Sequence, residues 1–387
     1  MKYSRPGRLI AAMSALLFVY GFYVGGLQFV IADISAAFGM KDAGMQAMGI
    51  GILVSIPHII SLFLPALVGA ISDRFGKKQM LLLFSGVFAV GCLIAGVSGT
   101  MLVYLIGATF VGAAHSVCES VATAVVSDAN PENAARNINI SQGVLSAGAV
   151  LGPIIVRWLI RTFSLNWRYL FAISGGGFLV MMVVMLLLRF PVVEHVAKTK
   201  ETERKHGLLR SPVILCALLS MTLYVSLEKG VGNFTESLFS DELSREDLGA
   251  FALSLFWIGM TISRFVLKPK MDSLPRLLMI HFLTCVALFV ALAGARSAYL
   301  SMGICFVVGF MYGPMWPSIV AMGTQEAADH SGAVAGMMSS FGSAGSMVAP
   351  ILMGAVSSQW GLRSGFLLMA VFALVGQVLM LIAKNRK

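Results

Sequence analysis

Charged residues are scarce in this sequence. They make up 12% of its 387 residues, about half the share of an ordinary soluble domain, while 58% are hydrophobic and the mean hydropathy is +0.86. A soluble globular protein is excluded. Long hydrophilic stretches are also wanting: one alone, Pro191 to Ser211, interrupts a chain of apolar runs joined by short polar loops. The runs are continuous over about 20 residues, the length of a membrane-crossing helix, which excludes an outer-membrane barrel of alternating ten-residue strands. Cysteine is sparse as well. Cys92, Cys118, Cys216, Cys285 and Cys305 all fall inside apolar runs without Cys-x-x-Cys spacing, so neither a disulfide framework nor a metal site is indicated. No phosphate-cradling Gly-x-x-x-x-Gly-Lys-Ser/Thr loop occurs, hence no sign of ATP drive, and no catalytic set emerges. The chain does not read as an enzyme, and no cofactor is called for.

What is present is a series of apolar segments, at roughly 9–32, 47–71, 79–98, 101–126, 139–160, 167–189, 212–238, 248–267, 276–294, 298–320, 332–357 and 363–383. These twelve predict an all-α membrane protein. The hydrophilic stretch divides them into a six-helix bundle over 1–190, a cytoplasmic linker over 191–211 and a second six-helix bundle over 212–387. The run from Leu9 to Ile31 is too long for a signal-peptide core and reads as the first membrane helix. The net charge of +10 does not imply nucleic acid. If both termini are cytoplasmic, 19 of the 28 lysines and arginines lie on that side, six lie on the other, and Arg157, Lys229 and Arg264 fall within segments. That bias is the signature of a multi-pass inner-membrane protein with cytoplasmic termini. The partners expected are the lipid bilayer, a small-molecule substrate and a proton or other coupling ion, and the chain is expected to act as a monomer.

The two halves resemble each other. Ser146-Ala-Gly-Ala-Val-Leu-Gly-Pro-Ile-Ile155 aligns with Ser343-Ala-Gly-Ser-Met-Val-Ala-Pro-Ile-Leu352 at an offset of 197 residues. Phe110-Val111 before Gly112 is matched by Phe306-Val307 before Gly309, and Trp167-Arg168 is echoed less closely at Arg363. Three matches in one order indicate a duplicated six-helix unit, the plan of many secondary transporters.

An ionisable side chain within a bilayer span is costly and is by default a functional candidate. In the fourth segment Gly112, His115, Ser116, Glu119, Ser120 and Thr123 fall within about 140° at 100° per residue. His115 and Glu119 are neighbours on that face. In the seventh, Tyr224, Ser226, Glu228, Lys229, Gly232, Asn233, Thr235 and Glu236 share one side, and Leu223, Leu227, Val231 and Phe234 fill the other. Such a helix must line water or substrate. Lys229 and Glu236, two turns apart with Asn233 between, read as a partly neutralised pair. Glu228 shows no cation on its own face and is the stronger candidate for ion coupling, with Glu119 and His115.

Between the second and third segments stands Gly69-Ala-Ile-Ser-Asp73-Arg74-Phe-Gly76-Lys77-Lys78. It resembles the loop signature of the major facilitator superfamily, at the place where that family carries it. In that resemblance Gly69, Asp73, Arg74, Gly76 and Lys77, with Arg136 as a partner for Asp73, form the conformational loop. The fold implied is two pseudo-symmetric six-helix bundles. The seventh segment (Tyr224-Val-Ser-Leu-Glu228-Lys-Gly-Val-Gly-Asn233-Phe234), the fourth (Glu119 to Asp128) and Gly309-Phe-Met-Tyr-Gly-Pro-Met-Trp-Pro317 are similar to fucose-permease-type sugar symporters. That narrower likeness implies proton-coupled symport of a small polar solute such as a sugar, by alternating access. Thr123 stands where that group has an asparagine.

The remaining pocket candidates are Tyr23 and Gln28 in the first segment, Gln142 in the fifth, and Tyr312 and Trp316 in the tenth. With Thr123, Tyr224, Asn233 and Glu236 they make the expected substrate-binding set, aromatic planes suiting a sugar ring and amides its hydroxyls. Other readings stay open. Gly148-Ala-Val-Leu-Gly152-Pro153 resembles part of the antiporter motif of proton-coupled drug or metabolite exporters, and Lys229 or Arg157 would suit an organic anion. His58, after Pro57, reads as a kink or packing residue, and Arg264 and His281 as side chains snorkelling to the cytoplasmic surface.

Overall fold

The computed structural model describes residues 6–64, 76–130, 133–188, 190, 211–267, 273–326 and 331–385. Gly69, Asp73 and Arg74 of the loop signature lie outside them, as do residues 191–210 of the expected linker and Lys2, Arg5, Arg386 and Lys387. Every element among the described residues is helical. In chain order they are α1 (Pro6–Ala37), α2 (Ala43–Ser55), α3 (Lys77–Val97), α4 (Met101–Ala129), α5 (Ala134–Phe163), α6 (Arg168–Leu187) and α7 (Pro212–Ser237). There follow α8 (Glu246–Val266), α9 (Leu274–Gly294), α10 (Ala298–Tyr312), α11 (Met315–Glu326), α12 (Ser331–Trp360) and α13 (Leu362–Asn385). Among the described residues, eleven helical stretches are long and apolar enough to cross a membrane, α10 and α11 together making one of them.

The second apolar segment is not one continuous helix. After α2, the α-helix gives way to 3-10 turns at Ile56–His58 and Ile60–Leu62. Pro57 accounts for the break, because it offers no N–H to the carbonyl one turn back and its ring crowds that carbonyl. The tenth segment is broken likewise: α10 stops at Tyr312 and α11 starts at Met315, with Pro314 between and Pro317 just beyond.

The chain forms two compact units, Met1–Gly39 with Ile56–His195, and Met40–Ser55 with Val196–Lys387. In the first, α1 and α5 pack with their backbones nearly touching. Gly21 and Gly25 on α1, and Gly148 and Gly152 on α5, are each one turn apart. A Cβ added at Gly152 would stand 2.5 Å from the Phe22 carbonyl oxygen, and one at Gly148 would run into that of Phe18. Paired small residues let membrane helices approach this closely. The glycines of the antiporter-like stretch are thus used for packing.

In the second unit α12 receives two helices. Gly345 faces the Thr222 carbonyl of α7, and α2 lies along the later part of α12, where Gly44, Gly51 and Gly354 mark the contact. A Cβ at Gly51 would stand 2.6 Å from the Pro350 carbonyl oxygen, and one at Gly354 2.5 Å from that of Ala47.

The internal geometry of the units repeats at or within two residues of the offset read from the sequence. Thr100 caps α4 by accepting from the Val103 N–H, and Ser297 caps α10 by accepting from that of Leu300, both at 3.4 Å. The Arg168 guanidinium donates to the carbonyls of Gly96 and Ser98 at 3.0 and 2.7 Å, closing the end of α3. Arg363 does the same to Ala293 and Ala295 at the end of α9, at 2.8 Å each. Such C-terminal carbonyls have no partner within their helix, and a cation there also meets the negative end of the helix dipole.

Candidate functional site

The first unit carries a polar cluster where α1, α4, α5 and the 3-10 turn meet. Tyr20 of α1 stacks on the His115 ring, centroids 4.6 Å apart and planes 13° from parallel. The His58 ring stands edge-on to His115 at 5.9 Å. One turn along α4, Glu119 accepts from the Gln142 amide of α5 at 3.5 Å. Small residues make room for this: Gly112 faces the Pro57 carbonyl, and the Ser61 hydroxyl donates to the Gly112 carbonyl at 3.0 Å. The structure thus brings together His115, Glu119 and Gln142, all expected from sequence, and adds His58, which read as a kink or packing residue. Tyr23 is elsewhere, edge-on to Phe88 and Phe171 in the aromatic core. Gln28 is buried, and Thr123 is half-buried one turn beyond Glu119.

The second unit's cluster is built on α7. The Tyr224 hydroxyl donates to the Glu228 carboxylate at 2.8 Å, and the Lys229 ammonium stands 3.9 Å from the other oxygen of that carboxylate. Arg264 of α8 reaches the same Tyr224 hydroxyl. The structure corrects three sequence expectations here. Glu228 does have cationic company, directly from Lys229 and through Tyr224 from Arg264. Lys229 stands in an ion pair with its neighbour Glu228, where a partner two turns on, Glu236, was expected. Arg264 points inward to a hydroxyl where a snorkelling side chain was expected. Tyr312 of α10 is fully buried, edge-on to Tyr224 at 5.7 Å. Asn233 turns its amide back to the Lys229 carbonyl at 2.7 Å. Glu236 is buried against Gly249 of α8, and Trp316 of α11 is exposed.

The two clusters correspond. Gly148 and Gly345 meet α1 and α7 at Phe18 and Thr222, respectively, which sets Tyr20 in the place of Tyr224. The offset of 197 sets His115 in the place of Tyr312. Each unit therefore holds an aromatic pair between its first and fourth spans, one turn from a carboxylate. The carboxylates differ in their helix of origin: Glu119 follows His115 on the fourth span, and Glu228 follows Tyr224 on the first. Consecutive spans alternate in direction, so within a unit's own frame the two acids lie on opposite sides of the aromatic pair, each by about 6 Å.

Of the loop signature, Gly76 and Lys77 are described. Gly76 has φ +91°, a conformation that side chains disfavour, just before α3. Lys77 pairs with Asp128 at the end of α4, and Lys78 donates to the Leu186 and Leu188 carbonyls at the end of α6. Arg136 is exposed in the first turn of α5. Among the described residues, no group of three or more His, Cys, Asp or Glu side chains is placed to hold a metal.

The profile of the Major Facilitator Superfamily matches residues 13–343 and, again, 238–387. The chain belongs to this superfamily. It is similar to multidrug resistance protein MdtG of Dickeya zeae, 23% identical over 363 residues, which cover 89% of this chain and 87% of that protein. It is also similar to quinolone resistance protein NorA of Staphylococcus aureus, 21% identical over 362 residues, 90% of each chain. Among solved structures, the nucleoside transporter NupG superposes with a TM-score of 0.78 at 14% identity, covering 97% of this chain and 99% of that one. The E. coli fucose:proton symporter FucP gives 0.66 at 16% identity, covering 98% of each. The transporter thus has the twelve-span fold of its superfamily, all-α and embedded in a membrane, and moves small molecules rather than transforming them.

Proposed function

We propose that the transporter couples proton movement to the transport of a small organic solute, with Glu119 and Glu228 as the proton-carrying carboxylates and both termini in the cytoplasm. The observation that carries this reading is the setting of Glu228 within a span, held by the Tyr224 hydroxyl and faced by Lys229. The ionised carboxylate is held by these two groups, and taking up a proton breaks the ion pair with Lys229, so the span has two charge states that differ in their contacts. His115, beside Glu119, belongs to the same set. The superfamily's paired six-helix plan supports division at the 191–211 linker and alternating access about a central site.

For the solute, symport of a small polar molecule such as a sugar rests on the likeness of the fourth, seventh and tenth segments to fucose-type symporters, and FucP shares the fold. Substrate contacts on this reading come from Thr123, Gln142, Tyr224, Asn233, Glu236, Tyr312 and Trp316. A second reading, proton-driven export of drugs or metabolites, is favoured by two observations. The relatives MdtG and NorA, named for drug resistance, align along some nine-tenths of the chain. The Asn233 and Gln142 amides, expected to meet sugar hydroxyls, are directed to a backbone carbonyl and to Glu119. Transport by the purified protein in proteoliposomes, with a pH gradient imposed in either sense, decides between them. Sugar accumulation driven by an inward proton gradient supports symport, and dye or drug extrusion supports export. Full pH-driven transport by both Glu119→Gln and Glu228→Gln overturns the coupling assignment itself.

A further inference from the structure

We propose that His58 is a proton-binding partner of His115, the two imidazoles taking up and releasing a proton as one coupled pair. The inference deepens the proton-coupled reading and rests on it for its function, though not for its geometry. At Gly112 and Gly309 each unit brings a neighbouring backbone carbonyl against the helix, that of Pro57 in one and of Phe256 in the other. His58 therefore stands where the second unit has Trp257, as His115 stands where it has Tyr312. In the second unit these positions hold Trp257 and Tyr312, both packed edge-on against Phe256, at 5.5 and 5.7 Å. Packing needs a flat ring at each place and is satisfied by rings that do not titrate near neutrality. The first unit has imidazole at both, and histidine is the side chain that changes charge there.

The surroundings define the pair's chemistry. Facing His115 are Tyr20 from α1 and His58 from the 3-10 turn, and Glu119 follows on α4 with Gln142 of α5 bonded to it. Toward α3 stands Cys118, in contact with Ser85 at 4.0 Å. With ring centroids 5.9 Å apart, two imidazolium charges repel, so the first proton alters uptake of the second and the protonation steps belong to the pair. His58 also sits at the break in the second span, which ties the charge of the cluster to the segment where the α-helix is interrupted.

The test is a nitrogen-15 NMR titration of the six histidine side chains in the full chain, reconstituted in nanodiscs, with His58→Gln and His115→Gln giving the assignments. The result expected is that the imidazole of His115 titrates in two coupled steps and that His58→Gln reduces this to a single step, moving its midpoint by about half a pH unit or more. His58→Trp, the residue of the other unit, keeps the packing and gives the same single step. A titration of His115 that is single in the native chain and unmoved by either substitution overturns the pair. Transport measured alongside separates the two ideas: coupled titration without pH-driven transport upholds the pair and defeats the proton-coupled reading.

Discussion

Arg168 and Arg363 perform the same task in the two units, each guanidinium closing the carbonyl end of a helix some 70 residues earlier in the chain. They differ in their second partner. Arg363 also donates to Glu242 at 2.8 Å, whereas Arg168 lies over the Trp167 ring at 4.3 Å. Removing either leaves carbonyls unpaired, and removing Arg363 further strands a half-buried carboxylate. Arg168→Met and Arg363→Met should each lower stability by about 1–3 kcal/mol, with Arg363→Met the worse. Thermal unfolding of the purified variants in one detergent checks both the loss and the order.

The tyrosine on α7 gives a second prediction. Tyr224→Phe preserves the ring against Tyr312 but removes the donor to Glu228 and the group that Arg264 reaches. Transport should persist with its pH dependence displaced, while Glu228→Gln should reduce pH-driven transport at least about tenfold, the scale of one lost charge-assisted interaction. Initial rates across a pH series separate the two. An unmoved profile in Tyr224→Phe means that the hydroxyl does not govern the acid.

Much of this is legible in the sequence. Apolar run lengths locate the spans, and the repeated Gly-x-x-x-(small)-Pro stretches at Gly148 and Gly345 set the offset at which the helix caps recur, with the arginines two residues short of it. Helical projection also found the faces of α4 and α7 that carry ionisable groups. It could not say what faces them. Arg264 meets Tyr224 and His58 meets His115 through tertiary packing, and the periodicity of a single helix holds no record of its neighbour. At Pro57 the sequence admits a kink but does not fix a break, because a proline can stand inside a helix without ending it, as Pro153 and Pro350 do in α5 and α12.

Glycines should divide sharply by what a methyl would meet. At Gly148 and Gly345 it meets a backbone carbonyl, and at Gly86 and Gly303 nothing lies within 4 Å. Alanine at the first two should cost about 1–3 kcal/mol or more through forced separation of the helices. At the second two it should be neutral or stabilise by up to about 1 kcal/mol through helix propensity. Folded yield after extraction, followed by size-exclusion chromatography, ranks all four.

The thiols offer a check on packing. Cys118, Cys285 and Cys305 are buried, so a water-soluble maleimide should label none of them in intact membranes and all three after denaturation. Labelling of any one in the native state would show that its helix contacts open.

The place of α2 bears on how this chain must be made. Duplication draws the boundary near residue 190, yet Ala43–Ser55 packs on Ser331–Trp360 and belongs to the unit of the later residues. A ribosome delivers that apolar helix long before its partner exists. A gene cut at the linker would yield a first fragment bearing a helix with its glycine contacts vacant, and a second fragment lacking a stave of its own bundle. The two products should recover function only when synthesised together.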